Sequence, residues 1–299
     1  MTALLTPPAP TAPTAPSSGT VASRDGTRIA FRSVGDGPAI VVLHGAMETA
    51  QSHLDLAAEL AARARIVLPD RRGRGGSGPA RSDDGIARQV EDLEAVIAAT
   101  GARAIIGVSA GALVALEAAR MLPDVDRVVL FEPPLSIEGS IPTEWLDRFD
   151  AEIAGGRTAA ALVTGMLAAE MGPPWMLKLP RPVLELMTSA MLRAEDRRTP
   201  ANGVAWRTLA PTLHTDGRIL ADMDGPLDRF ADIRADVLLI GGSASPAYLQ
   251  RALDALEPVL PHARRVELAG LDHSAAGNRD QRGHPEIVAA ALRPFLELD

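Results

Sequence analysis

The chain has no cysteine among its 299 residues, which removes disulfides, thiolate metal sites and cysteine nucleophiles together. Aromatic side chains are few, at 3%. No run reaches the ~18 uncharged apolar residues that a membrane-spanning helix needs. There is no basic excess either. The formal charge is −8, and the cations, nearly all arginine, are scattered among acids, so no basic face is offered to nucleic acid. The N-terminus, "MTALLTPPAPTAPTAPSSG", lacks a basic segment followed by a long apolar one and does not read as a secretory signal. The expectation is a cytoplasmic protein with neither a nucleic-acid nor a membrane partner. Oligomeric state is left open.

What is present suits a soluble α/β protein: 46% apolar and 23% charged residues, in a length that fits one large core carrying an insertion. Residues 1–19 read as a Pro/Ala/Thr-rich disordered tail. From Thr20, "TVASRDGTRIAFRSVG" sets Asp25-Gly26 between alternating segments, the signature of a hairpin. The apolar runs "AIVVLHG", "RIVLPD", "AIIGVS" and "RVVLFEPP" follow, each with a helical segment after it. Such runs alternating with helices predict a mostly parallel central sheet flanked by helices. The rhythm stops after Pro134 and resumes with "DVLLIGG" and "RRVELAG". Residues 20–134 and 232–299 are therefore expected to form the two parts of one core, with 135–231 as an inserted helical cap. That insertion holds all three tryptophans and six of the nine methionines. An apolar, adaptable wall over a cavity is expected from it, with Trp145, Trp175, Met166, Met187, Met191 and Trp206 as candidate substrate contacts beside Met47.

The chemistry is expected at "IIGVSAGALVAL" (105–116). A sharp strand-to-helix turn exposes a serine at the sheet's carboxyl edge, and its crowding demands small residues two before and two after. Gly107 and Gly111 stand in those positions around Ser109. The amide of Ala110 opens the following helix, whose dipole favours an anion. "LHGA" ends an earlier strand as an oxyanion-hole loop would, making the amide of Ala46 the second donor. "GLDHSAAG" presents His273 late in the chain. His44, Asp70 and the glycines after Asp70 read as turn-shaping residues, and His53, His214, His262 and His284 as surface or packing residues.

With these motifs in this order the chain resembles the α/β-hydrolases of the serine-esterase and lactonase kind, over residues 20–134 and 232–299. The resemblance implies a Ser–His–acid triad with Ser109 as nucleophile and His273 as base, needing no metal or organic cofactor. The family usually carries its acid in a loop after the strand that follows the cap. Here that loop, "LIGGSASPAYLQ", holds no Asp or Glu. The family's second location is the end of the strand after the nucleophile helix, which implies Glu132, held rigidly by Pro133 and Pro134. Asp124 and Asp126 precede that strand, and Asp272 adjoins His273. Asp222, Asp224, Asp228 and Asp232, where the cap returns, are the rivals. The expected activity is hydrolysis of an ester, lactone or thioester of a moderately apolar small molecule. A C–C bond hydrolase, an acyltransferase or cyclase, a perhydrolase, and a catalytically silent binding or receptor protein remain the alternatives.

Overall fold

The structure is a computed structural model that describes residues 16–137, 139–197 and 204–298. Strands β1 (Ser17–Ala22) and β2 (Arg28–Val34) form the hairpin, with Gly26 at φ +83° in its turn. β1 begins inside the segment expected to be tail. The reason lies in its pairing, Ser17 opposite Ser33 onward: an edge strand needs backbone partners more than apolar side chains. Gly19 faces Phe31, whose ring lies where a Cβ would stand. Residues 1–15 of the expected tail lie outside the described residues.

Next come β3 (Ala39–Leu43), α1 (Leu54–Leu60), β4 (Arg65–Pro69), α2 (Ile86–Thr100), β5 (Ala104–Val108), α3 (Ala110–Met121) and β6 (Arg127–Phe131). α2 stops at Gly101, which takes the left-handed conformation at φ +71°. Among the described residues from β6 to the next strand there is helix but no strand. These helices are α4 (Trp145–Ala154), α5 (Thr158–Ala168), α6 (Pro174–Leu177), α7 (Arg181–Glu195), α8 (Trp206–Leu209) and α9 (Leu213–Asp222). The chain closes with β7 (Asp236–Gly242), α10 (Ala247–Leu256), β8 (Ala263–Leu268) and α11 (Pro285–Leu296).

The eight strands make one sheet in the order β1-β2-β4-β3-β5-β6-β7-β8, antiparallel at the β1–β2 and β2–β4 pairs and parallel elsewhere. The apolar runs are continuous because the five central strands, β3 to β7, are buried on both faces. Val41, Leu43, Val67, Ile105, Val128 and Leu239 face a core shared with α2, α3 and α10. Their alternates Ile40, Val42, Ile66, Ile106, Val129 and Ile240 face one shared with α1 and α11. The chain steps outward from β3 to β4 and then returns to β5 on the other side of β3. That reversal opens a crevice beyond the carboxyl ends of β3 and β5, the usual ligand position in an open α/β sheet.

The intervening helices have an interior of their own. Phe149 and Val163 are fully buried. The buried Glu152 accepts from Thr164 Oγ1 at 2.5 Å, Arg181 at 2.8 Å and Arg148 at 3.0 Å. α9 returns to pack on α2 and α3, burying Ile219 in the main core.

Candidate active site

Ser109 follows β5 at φ +53° and ψ −122°, a conformation that costs a non-glycine residue of order 1–3 kcal/mol. The surroundings hold it there. Its amide donates to Phe131 O at 2.9 Å and its carbonyl accepts from Ala112 at 2.8 Å. Both flanking glycines are required by close approach: a Cβ on Gly107 would stand 2.6 Å from Ala112 Cα, and one on Gly111 2.4 Å from the Leu43 carbonyl. The turn can therefore form only with α3 pressed against the end of β3.

The loop expected to supply an oxyanion donor leaves β3 at His44. Buried His44 donates from Nδ1 to Gly45 O at 2.9 Å and accepts at Nε2 from the Arg71 amide at 3.1 Å. One nitrogen donates and the other accepts, so this ring is neutral. Burial and the nearby Arg74 and Arg71 cations hold its pKa well below the ordinary value. Asp70 steadies the same loop, accepting from Ala50 and Gly76 amides at 2.8 Å each. The amides of Ala46 and Ala110 donate to no other group among the described residues. A Cβ on Gly45 would lie 3.1 Å from Ser109 Cβ, so this loop closes over the serine.

Glu132 sits just past β6, at φ +49° and fully buried. Its amide donates to Ile240 O at 3.1 Å, and its Oε1 accepts from the Gly242 amide at 2.7 Å. Its Oε2 accepts from His273 Nδ1 at 2.5 Å. That bond fixes the proton on Nδ1 and leaves Nε2 as the basic nitrogen. Glu132, Gly242 and His273 thus meet from three adjacent strands, while the Ser109 hydroxyl bonds to no group among the described residues. Three of the other acids are engaged elsewhere. Asp222 accepts from the Ile86 amide at 2.9 Å, Asp126 pairs with Arg103, and Asp272 accepts from Ser274.

The apolar candidates are dispersed. Met47, at φ +58°, packs with Leu162, Leu192 and Ala210, and Met166 is half-buried. Trp145 meets Phe149 edge-on at 5.7 Å inside the helical layer. Trp175, Met187, Met191 and Trp206 are exposed, Trp175 by 63%. The latter four do not form a closed wall. Of the remaining histidines, His214 bonds Asp150 and the Ser82 carbonyl, and His262 and His284 are on the surface. His53 is buried and bonds Glu48, an acid that the sequence reading passed over although it lies only two residues beyond Ala46. Among the described residues no group of three or more His, Asp or Glu is placed to hold a metal, and no helix is long and apolar enough to cross a membrane.

The chain belongs to the alpha/beta hydrolase family, whose family model matches residues 40–291. It is similar to a solved alpha/beta hydrolase from Sphaerobacter thermophilus, 33% identical with a TM-score of 0.76, over 93% of this chain and 100% of that one. It is also similar to the pimeloyl-[acyl-carrier protein] methyl ester esterase of Xanthomonas campestris, 27% identical over 88% of this chain and 96% of the relative. An uncharacterized protein of Mycobacterium tuberculosis is 33% identical over 108 residues, 35% of this chain and 32% of the relative. The chain therefore matches only about a third of that mycobacterial protein's length.

Proposed function

We propose that the protein is a serine hydrolase that cleaves an ester, lactone or thioester of a moderately apolar small molecule through an acyl-enzyme. The observation that carries the reading is the 2.5 Å bond between His273 Nδ1 and buried Glu132 at the same sheet edge as the strained Ser109 turn. In this mechanism His273 Nε2 takes the Ser109 proton as the oxygen attacks the carbonyl carbon. The Ala46 and Ala110 amides receive the developing oxyanion, and Glu132 stabilises the imidazolium. The imidazolium then protonates the leaving alkoxide or thiolate, and water, activated by the same imidazole, releases the acid. The Ser109–His273 bond forms as substrate docks, since such bonds are often loose in unliganded enzymes.

The full-length similarity to a methyl ester esterase supports carbonyl ester chemistry. The missing acid after β7 is what favours a silent binding protein; the bond between His273 and Glu132 supports the enzyme reading instead. A fluorophosphonate probe and a chromogenic ester panel of varied acyl length test the reading. Wild type should be labelled at Ser109 and turn over esters, and Ser109→Ala should do neither. Equal turnover by Ser109→Ala would overturn it.

A further inference from the structure

Glu48 and His53 lie on the segment that runs from the oxyanion loop into α1. Glu48 Oε2 accepts from the Gly45 amide at 2.6 Å and meets His53 Nε2 at 3.1 Å. His53 Nδ1 meets the carbonyl of Ala276 at 2.8 Å, three residues beyond His273. A carbonyl oxygen only accepts, so Nδ1 carries a proton. The Glu48 oxygen faces two nitrogens, and as a carboxylate it accepts from both, which places the second ring proton on Nε2. Burial opposes charge here, but each partner keeps the other charged, with the His53 pKa raised and the Glu48 pKa lowered from their ordinary values. An imidazole protonated on both nitrogens is a cation, and Glu48 is its carboxylate partner.

We propose that Glu48 and His53 are positioning residues for the acyl-transfer step: an ion pair that clamps the oxyanion loop, at Gly45, to the loop of His273, at Ala276. The inference rests on the serine-hydrolase reading above. Two loops far apart in sequence must hold their donors in register, Ala46 for the oxyanion and His273 for the proton. The pair is the bridge between them. Around it, Asn278 donates to Ser52 and Gln51 carbonyls at 3.1 and 2.7 Å and stitches the same two segments.

The pair also balances charge. The Cβ position of Gly45 is 3.1 Å from both Glu48 Oε2 and Ser109 Cβ, so the carboxylate lies within about 6 Å of Ser109 Cβ. A bare carboxylate there would oppose the oxyanion. His53 cancels that charge while keeping the bond to Gly45.

Charge balance gives the proposal a test that simple packing would not pass. His53→Gln leaves Glu48 uncompensated, whereas the double variant Glu48→Gln/His53→Gln loses the clamp without the repulsion. Because the oxyanion exists only in the transition state, kcat should fall and KM should hold within about threefold. His53→Gln should lose ~100-fold in kcat, within the range for a lost oxyanion donor, and the double variant should recover about tenfold of it. A double variant no better than His53→Gln, or variants that change only melting temperature, would overturn the proposal. In unaltered protein, nitrogen-15 NMR should show His53, assigned by correlating its ring with its own backbone amide, protonated on both nitrogens at neutral pH. A single ring proton would overturn it without any variant having to fold or turn over. Ser109→Ala decides the hydrolase reading separately, so the two failures are distinguishable.

Discussion

Glu132→Gln is the sharpest perturbation of the site because it changes one proton and almost no volume. Glu132 uses one oxygen for the Gly242 amide at 2.7 Å and the other for His273 Nδ1 at 2.5 Å. Glutamine keeps its carbonyl oxygen on Gly242 and turns its NH2 toward the imidazole. Nδ1 must then accept, which moves the ring proton to Nε2, the nitrogen required to take the Ser109 proton. A wrong tautomer in a Ser–His–acid triad costs ~10⁴ in kcat, or about 5.4 kcal/mol at 1.36 kcal/mol per tenfold. Stability should barely move, since both side-chain hydrogen bonds survive. Glu132→Ala differs: it strips the acceptor from a buried amide, a penalty of about 1–3 kcal/mol, besides opening a cavity. Steady-state kcat on a chromogenic ester and denaturant unfolding, measured on the same preparations, separate these effects. Glu132→Gln retaining more than about a tenth of wild-type kcat would refute the argument and return the acid's place to a rival. Asp272→Asn is the control, expected within about threefold of wild type, because its carboxylate serves Ser274.

Arg72 is fully buried and holds Asp92 through two bonds, at 2.6 and 2.7 Å, with Asp84 and Asp25 at 3.0 and 3.2 Å. Arg72→Met leaves Asp92 without its cation, and Asp84 and Asp25 with only Arg88 at 3.9 Å. It should destabilise the fold by about 3–5 kcal/mol in urea unfolding, a loss below 1 kcal/mol contradicting the assignment. The Glu48–His53 pair should give stability a pH window. Glu48 holds the His53 pKa above its ordinary 6.5 against the opposing effect of burial. Its contribution is therefore complete below 6.5 and fades as pH rises through the raised value. Burial raises the Glu48 pKa, but His53 and the Gly45 amide outweigh it and hold the carboxyl below its ordinary 4.5. That contribution is complete above 4.5 and fades as pH falls. The melting-temperature gap between wild type and His53→Gln should be widest between these limits, and a gap that grows above pH 9 would contradict the assignment.

The centre of the sheet was legible because β3 to β7 are buried on both faces and so read as unbroken apolar runs, and the Ser109 turn because two glycines are demanded by contacts under 3 Å. β1 was legible only from Thr20, since Ser17, Ser18 and Gly19 are held by backbone pairing that leaves no hydrophobic trace. The candidate contacts on the inserted helices were read from residue type, and type does not reveal which side of a helix meets solvent. Trp175 and Met187 show the consequence. Glu48 was missed because a single acid in a polar loop resembles any surface glutamate. The signal available was a histidine five residues on, in the segment directly after "LHGA".

The place of the proposed acid, Glu132, follows from how adjacent strands share their ends. The loop after β7, where the family usually carries it, offers backbone and no carboxylate. β6 runs beside β7 with Phe131 opposite Ile240, so the next residue, Glu132, emerges level with Gly241. A side chain at Gly241 would put its Cβ 2.9 Å from Glu132 Oε1, and one at Gly242 would strike the Leu271 carbonyl at 2.2 Å. Gly241 therefore clears the path along which Glu132 reaches toward His273, Gly242 lets the chain before His273 pass close at Leu271, and the Gly242 amide anchors Glu132 on arrival. The positive φ of Glu132 turns its side chain off the line of β6. Loss of an acid from one strand and its presence on the next are linked features of one packing solution. Restoring a carboxylate at Ser243 should then not rescue Glu132→Gln, because the Glu132 side chain still fills the space beside Gly241 and the Ser243 hydroxyl is already held by the Gly270 amide at 2.8 Å.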